Sequence, residues 1–233
     1  MESIKELIRQ HPSERVFRYP IYWTKRHLEL LNCAFVVAYD KQTKPLGKED
    51  ARAAKQVRIL VLWCGPSMNS AALAALFREG RISIAESEDT PQFCYASLRI
   101  DCCSCTYFHL RNAAYPPIAY VDIDKFPIIR DSSFSQPRLM PGKPDYKNTP
   151  VRNLRVKRIA RVTPQDPVQD PYIISLIVAI AQTQLVQGTS PSVDIYTVRL
   201  LGTSKHDSDH IYLYTASVPL GFLGRFYHPN IAP

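Results

Sequence analysis

Three aspartates, a run of cysteines and a His/Asp cluster are the residues of this sequence whose types and spacing could do chemistry. In "YVDIDKF" Asp122 and Asp124 alternate, so on a strand both carboxylates share one face. Carboxylates so placed hold Mg²⁺ or Mn²⁺ and could build a nuclease-like metal centre, with Asp101 from the preceding strand or Glu86 and Glu88 completing it. Lys125 follows Asp124 directly, which departs from an acid–x–Lys triplet. In "RIDCCSCTYFHLR" a single strand from Ser97 to Leu110 would put Leu98, Ile100, Cys102, Ser104, Thr106 and Phe108 on a mostly apolar face. Arg99, Asp101, Cys103, Cys105, Tyr107 and His109 would share the polar one. Zinc sites favour Cys-x2–4-Cys on a turn; here Cys103 and Cys105 are two apart, and further ligands would have to come from Cys33, Cys64, Cys94, His206 or His210. The reading preferred is a set of packed thiols inside a sheet.

Two further stretches carry suitable atoms. "HDSDH", His206 to His210, offers two imidazoles and two carboxylates for a metal, but it falls where a hairpin tip is expected and Asp and Ser serve the turn itself. "CGPSMNS", Cys64 to Ser70, runs from a strand into a helix N-terminus, a position suited to an anionic ligand. It lacks the glycines of a nucleotide-binding loop, so it supports only an unspecific pocket.

Positive charge is the strongest signal. Of the net +8, most lies between residues 128 and 164, where nine Lys and Arg face only Asp131 and Asp145. The densest part is "VRNLRVKRIARV", with Arg152, Arg155, Lys157, Arg158 and Arg161. Clustered cations neutralise phosphates and release counterions, so this segment is the candidate polyanion site, nucleic acid foremost. The competing reading is a solvated face whose Val151, Leu154, Val156, Ile159 and Val162 pack inward.

The elements that must position these residues follow from pattern. Ile4, Leu7 and Ile8 share a face of a short helix that stops before Pro12. Asn32–Tyr39, Val57–Cys64 and Arg81–Ser87 read as strands, Gly47–Gln56 and Gly65–Gly80 as helices, the second with Ser70 as N-cap. Residues 94–111 and 117–129 read as an antiparallel pair. Asp170-Pro171 opens a helix to about Gln184 that is apolar all round and so must be buried on every side. "VDIYTVRLLGT" and "HIYLYTASVP" form a hairpin, and "PLGFLGRFYHP" a short terminal helix.

The sum is an α/β fold: a single domain over residues 1–233, a mixed sheet around a buried central helix, an antiparallel C-terminal hairpin, and a basic proline-rich connecting segment at 128–169. The N-terminus lacks the apolar core of a signal peptide and no run reaches membrane-spanning length, which predicts a cytoplasmic or nuclear protein with reduced cysteines and no membrane partner. No cofactor is required beyond the divalent metal that the acidic group would take.

From Asp170 to Pro229, "DPYIISLIVAIAQTQ" with "VDIYTVRLLGTS" and "HIYLYTASVPLGFLGRFYHP" resembles uncharacterised intracellular proteins of filamentous fungi. The resemblance covers a core helix and a hairpin and implies a fungal source without an activity. The leading expectation is therefore an intracellular polyanion-binding protein. The alternatives are a small-molecule enzyme or accessory protein of fungal metabolism with its pocket at 64–70, and a non-catalytic adaptor that uses the proline-rich segment.

Overall fold

Aspartate and proline set the frame of the longest helix. The computed structural model describes residues 2–12, 14, 19–38, 66–79, 84–87, 90–102, 105–110, 117–134, 149–188 and 194–232. Among them are seven α-helices: α1 (Ile4–Gln10), α2 (Lys25–Leu31), α3 (Pro66–Glu79), α4 (Phe126–Ser133), α5 (Thr149–Val162), α6 (Pro171–Gln187) and α7 (Leu220–Tyr227). At the start of α6 the Asp170 carboxylate accepts the Tyr172 N–H at 2.9 Å, and Pro171 fills the first position, where no N–H is needed. The helix ends at Gly188, whose φ of 64° is left-handed backbone that glycine adopts without strain. Ile173, Leu176, Val178, Ala179, Ile180 and Ala181 along it are all buried. Burying each large side chain among them is worth about 1.5–3 kcal/mol, so this helix is the centre of the core.

The larger sheet has the order β1-β4-β5-β6-β7, from β1 (Ile84–Glu86), β4 (Cys105–Leu110), β5 (Ile118–Asp122), β6 (Ile195–Ser204) and β7 (Asp207–Pro219). β5 and β6 run parallel, with Ile118 opposite Arg199 and Asp122 opposite Thr203; the other neighbours are antiparallel. β2 (Gln92–Tyr95) and β3 (Leu98–Asp101) form a separate antiparallel hairpin. That hairpin packs on α6, where the Gln182 amide accepts the Cys94 N–H at 2.8 Å and donates to the Cys94 carbonyl at 2.9 Å. A helix side chain thus stands in for the next strand. Tyr107, Val121, Val198 and Leu200 join α6 in the main core, while Phe108 and Tyr120 pack with Ala72 and Leu73 of α3 in a second cluster. With both faces of the sheet covered, this is a mixed α/β fold in one domain.

Several local expectations change. Cys33–Ala38 runs from the left-handed Asn32 without strand pairing among the described residues, and Val36 is 89% exposed: β-branched residues do not make a strand without a ladder to join. The single strand expected from Ser97 to Leu110 is interrupted between Asp101 and Cys105: the Cys102 N–H still meets the Pro91 carbonyl at 3.0 Å, the next rung of the β2–β3 ladder, but the Cys105 N–H then bonds back to the Cys102 carbonyl at 3.0 Å and the chain passes from the small sheet to the large one. The faces also swap, with Cys105 and Tyr107 in the main core. Strand β5 stops at Asp122, whose carboxylate caps a 3-10 turn (Ile123–Lys125), and Pro127 then opens α4. Helix α3 begins at Pro66, so Ser70 lies inside it rather than at its cap. The hairpin of β6 and β7 turns on Lys205 and His206 alone. The described residues of the segment 128–169 include the end of α4, all of α5 and a 3-10 turn (Pro167–Gln169). The helix expected at 47–56 and the strand at 57–64 lie outside the described residues. No described helix is long and apolar enough to cross a membrane.

Candidate nucleic-acid interface

Helix α5 begins with Thr149-Pro150, where proline in the first turn breaks no hydrogen bond, and closes before Thr163-Pro164, since the residue before proline disfavours helix. The Thr163 N–H and hydroxyl both donate to the Ile159 carbonyl, at 3.0 and 2.9 Å, and seal the last turn. Arg152, Arg155, Arg158 and Arg161 recur every third residue, so they wind around the helix and interrupt every apolar stripe. The inward packing expected of the apolar residues therefore fails. Val162 alone is buried and Ile159 half-buried, while Val151, Leu154 and Val156 are 42%, 48% and 57% exposed.

Arg152, Lys157, Arg158 and Arg161 are exposed, and the ion pairs found among the described residues use none of them. Arg155 differs. Its guanidinium pairs with the Asp131 carboxylate at 2.6 Å and donates to the Asp131 carbonyl at 2.8 Å, which fastens α5 to the end of α4. Among the described residues, Arg155 is the one of the five α5 cations that takes part in an ion pair. Helix α5 carries no Asp or Glu, and Lys157, Arg158 and Arg161 lie within one turn of each other at spacings of three and four.

The acidic candidates are held by different parts of the fold. Asp122, at the end of β5, accepts the Asp124 N–H at 3.2 Å and has Lys125 Nζ at 3.9 Å. Burial raises its pKa, against the pull of Lys125 and with the push of Asp124. The Asp124 carboxylate accepts the Ser204 hydroxyl at 3.0 Å and the Lys205 N–H at 2.6 Å, which fixes the β6–β7 turn. Asp101 lies on β3, in the other sheet, where it accepts from the Gln92 amide at 2.7 Å. Among the described residues, no three His, Cys, Asp or Glu side chains converge to hold a metal ion.

The sulfur and imidazole candidates separate likewise. Cys102 and Cys105 are both buried in the core, where burial pushes the Cys105 thiol far up. Cys33 and Cys94 are half-buried free thiols, also raised by burial. Cys103, Cys64 and Glu88 lie outside the described residues, as does the turn at 64–65, and the side chains that open α3 are not described. His210 meets Asp207 through Nδ1 at 2.7 Å, and Tyr212 donates to the other Asp207 oxygen. That hydrogen bond pushes the Tyr212 phenol up to about 12. His206 sits on the turn, its N–H donating to the Ser204 hydroxyl. One pairing had no signal in the sequence. Arg130, 1% exposed, donates from Nη2 to Asp170 at 2.5 Å and from Nε to the Ile21 carbonyl at 3.1 Å.

Comparison with protein-family models, with curated proteins and with solved structures finds no match for this chain.

Proposed function

We propose that this protein binds a polyanion, nucleic acid foremost, through α5. The observation that carries the reading is the helix itself: an acid-free surface in which Arg152, Lys157, Arg158 and Arg161 reach solvent without partners among the described acids. An ordinary solvated helix gains by interspersing Glu and Asp at i, i+4 from its cations. At 1.5 Å rise per residue, Lys157 and Arg161 stand about 6 Å apart along the axis, a separation that lets both reach phosphates of one backbone.

Fluorescence anisotropy with labelled single- and double-stranded DNA and RNA, across a salt series, tests this. Four cations each meeting a phosphate give a log–log salt slope of about −3 to −4. Lys157→Glu, Arg158→Glu and Arg161→Glu together should flatten it by most of that amount. Absence of binding at low salt ends the proposal. A second reading, a protein-binding helix, draws on the exposed Val151, Leu154 and Val156; it calls for a partner whose affinity hardly responds to salt.

A further inference from the structure

We infer that the carboxyl end of the parallel strand pair holds a second, separate site, a cleft for a small organic oxyanion, carboxylate or phosphate, on a short apolar body. In open α/β sheets ligands collect just beyond the carboxyl ends of parallel strands. Here β5 and β6 are the parallel pair, and the residues that follow them, Ile123-Asp124 and Lys205-His206, form two sides of a cleft of about 270 Å³. Arg130, Asp170 and the prolines 164 and 167 supply much of the rest. The size suits a ligand of few heavy atoms, below the range of ordinary drug-sized pockets.

The hydrogen-bond donors in the wall favour an anion: the formal charges of Asp124 and Asp170 balance those of Arg130 and Lys205, and what differs is the donors and acceptors left over. Both acids are already answered by the chain: Asp124 by the Ser204 hydroxyl and the Lys205 N–H, and Asp170 by Arg130 and the Tyr172 N–H. Arg130 is the opposite case. A guanidinium has five N–H donors, and among the described residues Arg130 spends one from Nε and one from Nη2, on Ile21 and Asp170. It is almost wholly buried, and so held in one geometry, while it lines the cleft. Lys205 and His206 are exposed and stand at the mouth. The N-terminus of α6, at Asp170-Pro171, adds the positive end of a 17-residue helix dipole. Ile123, Phe126 and Pro127 offer an apolar lining to whatever carries the anion.

The test is isothermal titration of the full chain with inorganic phosphate and with isobutyrate, at constant ionic strength. Saturable one-to-one binding of either probe is expected. Lys205→Glu/His206→Glu should weaken it by at least about tenfold, the effect of 1.4 kcal/mol. Thr163→Phe fills the cleft without altering a charge and should abolish it. The triple Glu variant of α5 should leave it unchanged, so failure of the nucleic-acid reading and failure of this one are told apart. The inference is overturned if neither probe binds saturably, if both cleft variants bind like the native protein, or if the α5 variant removes the binding, which would mark an anion on the basic helix instead.

Discussion

Replacing Arg130 by methionine should cost this fold more than any other single change among its described charged residues. The guanidinium is buried with Asp170, 40 residues away in sequence, and it also holds the Ile21 carbonyl. Methionine fills similar volume but leaves the Asp170 charge enclosed with, among the described residues, the Tyr172 N–H as its remaining donor. Removing one partner of a buried ion pair costs about 3–5 kcal/mol. For a chain of this size that is a fall in Tm of roughly 6–20 °C, at 2–4 °C per kcal/mol. The companion change Asp170→Asn keeps the helix cap, since Asn caps as well as Asp, and removes the stranded charge. Arg130→Met/Asp170→Asn should therefore be more stable than Arg130→Met alone, by roughly 1–3 kcal/mol. Urea denaturation of native protein, both single variants and the double variant closes the cycle. If the double variant is destabilised by the sum of the singles or more, the pair is not coupled as the geometry requires, and the reasoning fails.

Other outcomes follow from single contacts. Gln182→Leu strips the Cys94 N–H and carbonyl of their partners and should cost about 2–4 kcal/mol, with hydrogen exchange of β2 speeding up before that of β6. Gly202→Ala places a Cβ 3.0 Å from a Tyr214 ring carbon and 3.1 Å from Ile123 Cδ1; a loss of about 1–3 kcal/mol is expected, read by thermal melting. Asp122 has its carboxyl pKa raised by burial, so the folded state holds this proton more tightly than the unfolded chain does and stability falls as pH rises through and just above the usual carboxylate range. Asp122→Asn should remove that fall, which denaturation at a series of pH values will register as a flatter profile. Native-state alkylation mapped by peptide mass spectrometry should label Cys33 and Cys94 well ahead of Cys102 and Cys105.

What the sequence revealed, it revealed where one local pattern was enough. Asp170-Pro171 followed by an unbroken apolar run has no reading except a capped, enclosed helix, and α6 is that helix. The strand pair β6–β7 and helix α7 were legible for similar reasons. Residues 97–110 were not, because alternation cannot reveal where a chain leaves one sheet for another, as it does where the Cys105 N–H bonds back to the Cys102 carbonyl. Nor could alternation assign faces in a sheet covered on both sides, where Tyr107 and Phe108 are equally buried. The charge of α5 was evident, yet its exposure was not: Val151, Leu154 and Val156 look like core residues until their angular scatter around the helix is considered. Arg130 and Asp170 gave no joint signal, since nothing local relates an arginine in "FPIIR" to a helix cap 40 residues on.

The parallel pairing of β5 with β6 sets the order in which this chain can fold during synthesis. Ile118 meets Arg199 only after the intervening helices, α6 among them, have been made. At roughly 5–20 residues per second, the intervening stretch of about 80 residues occupies the ribosome for some 4–16 s. Throughout that interval β5, every described residue of which is buried in the finished fold, has β4 on one side and an open edge on the other. Long-range pairing of this kind is slow to form and leaves apolar strand edges uncovered meanwhile. Ile118–Asp122 is thus a stretch a chaperone would shield, and a nascent chain halted before Ile195 would present it together with the face of α6 that β6 covers in the finished fold.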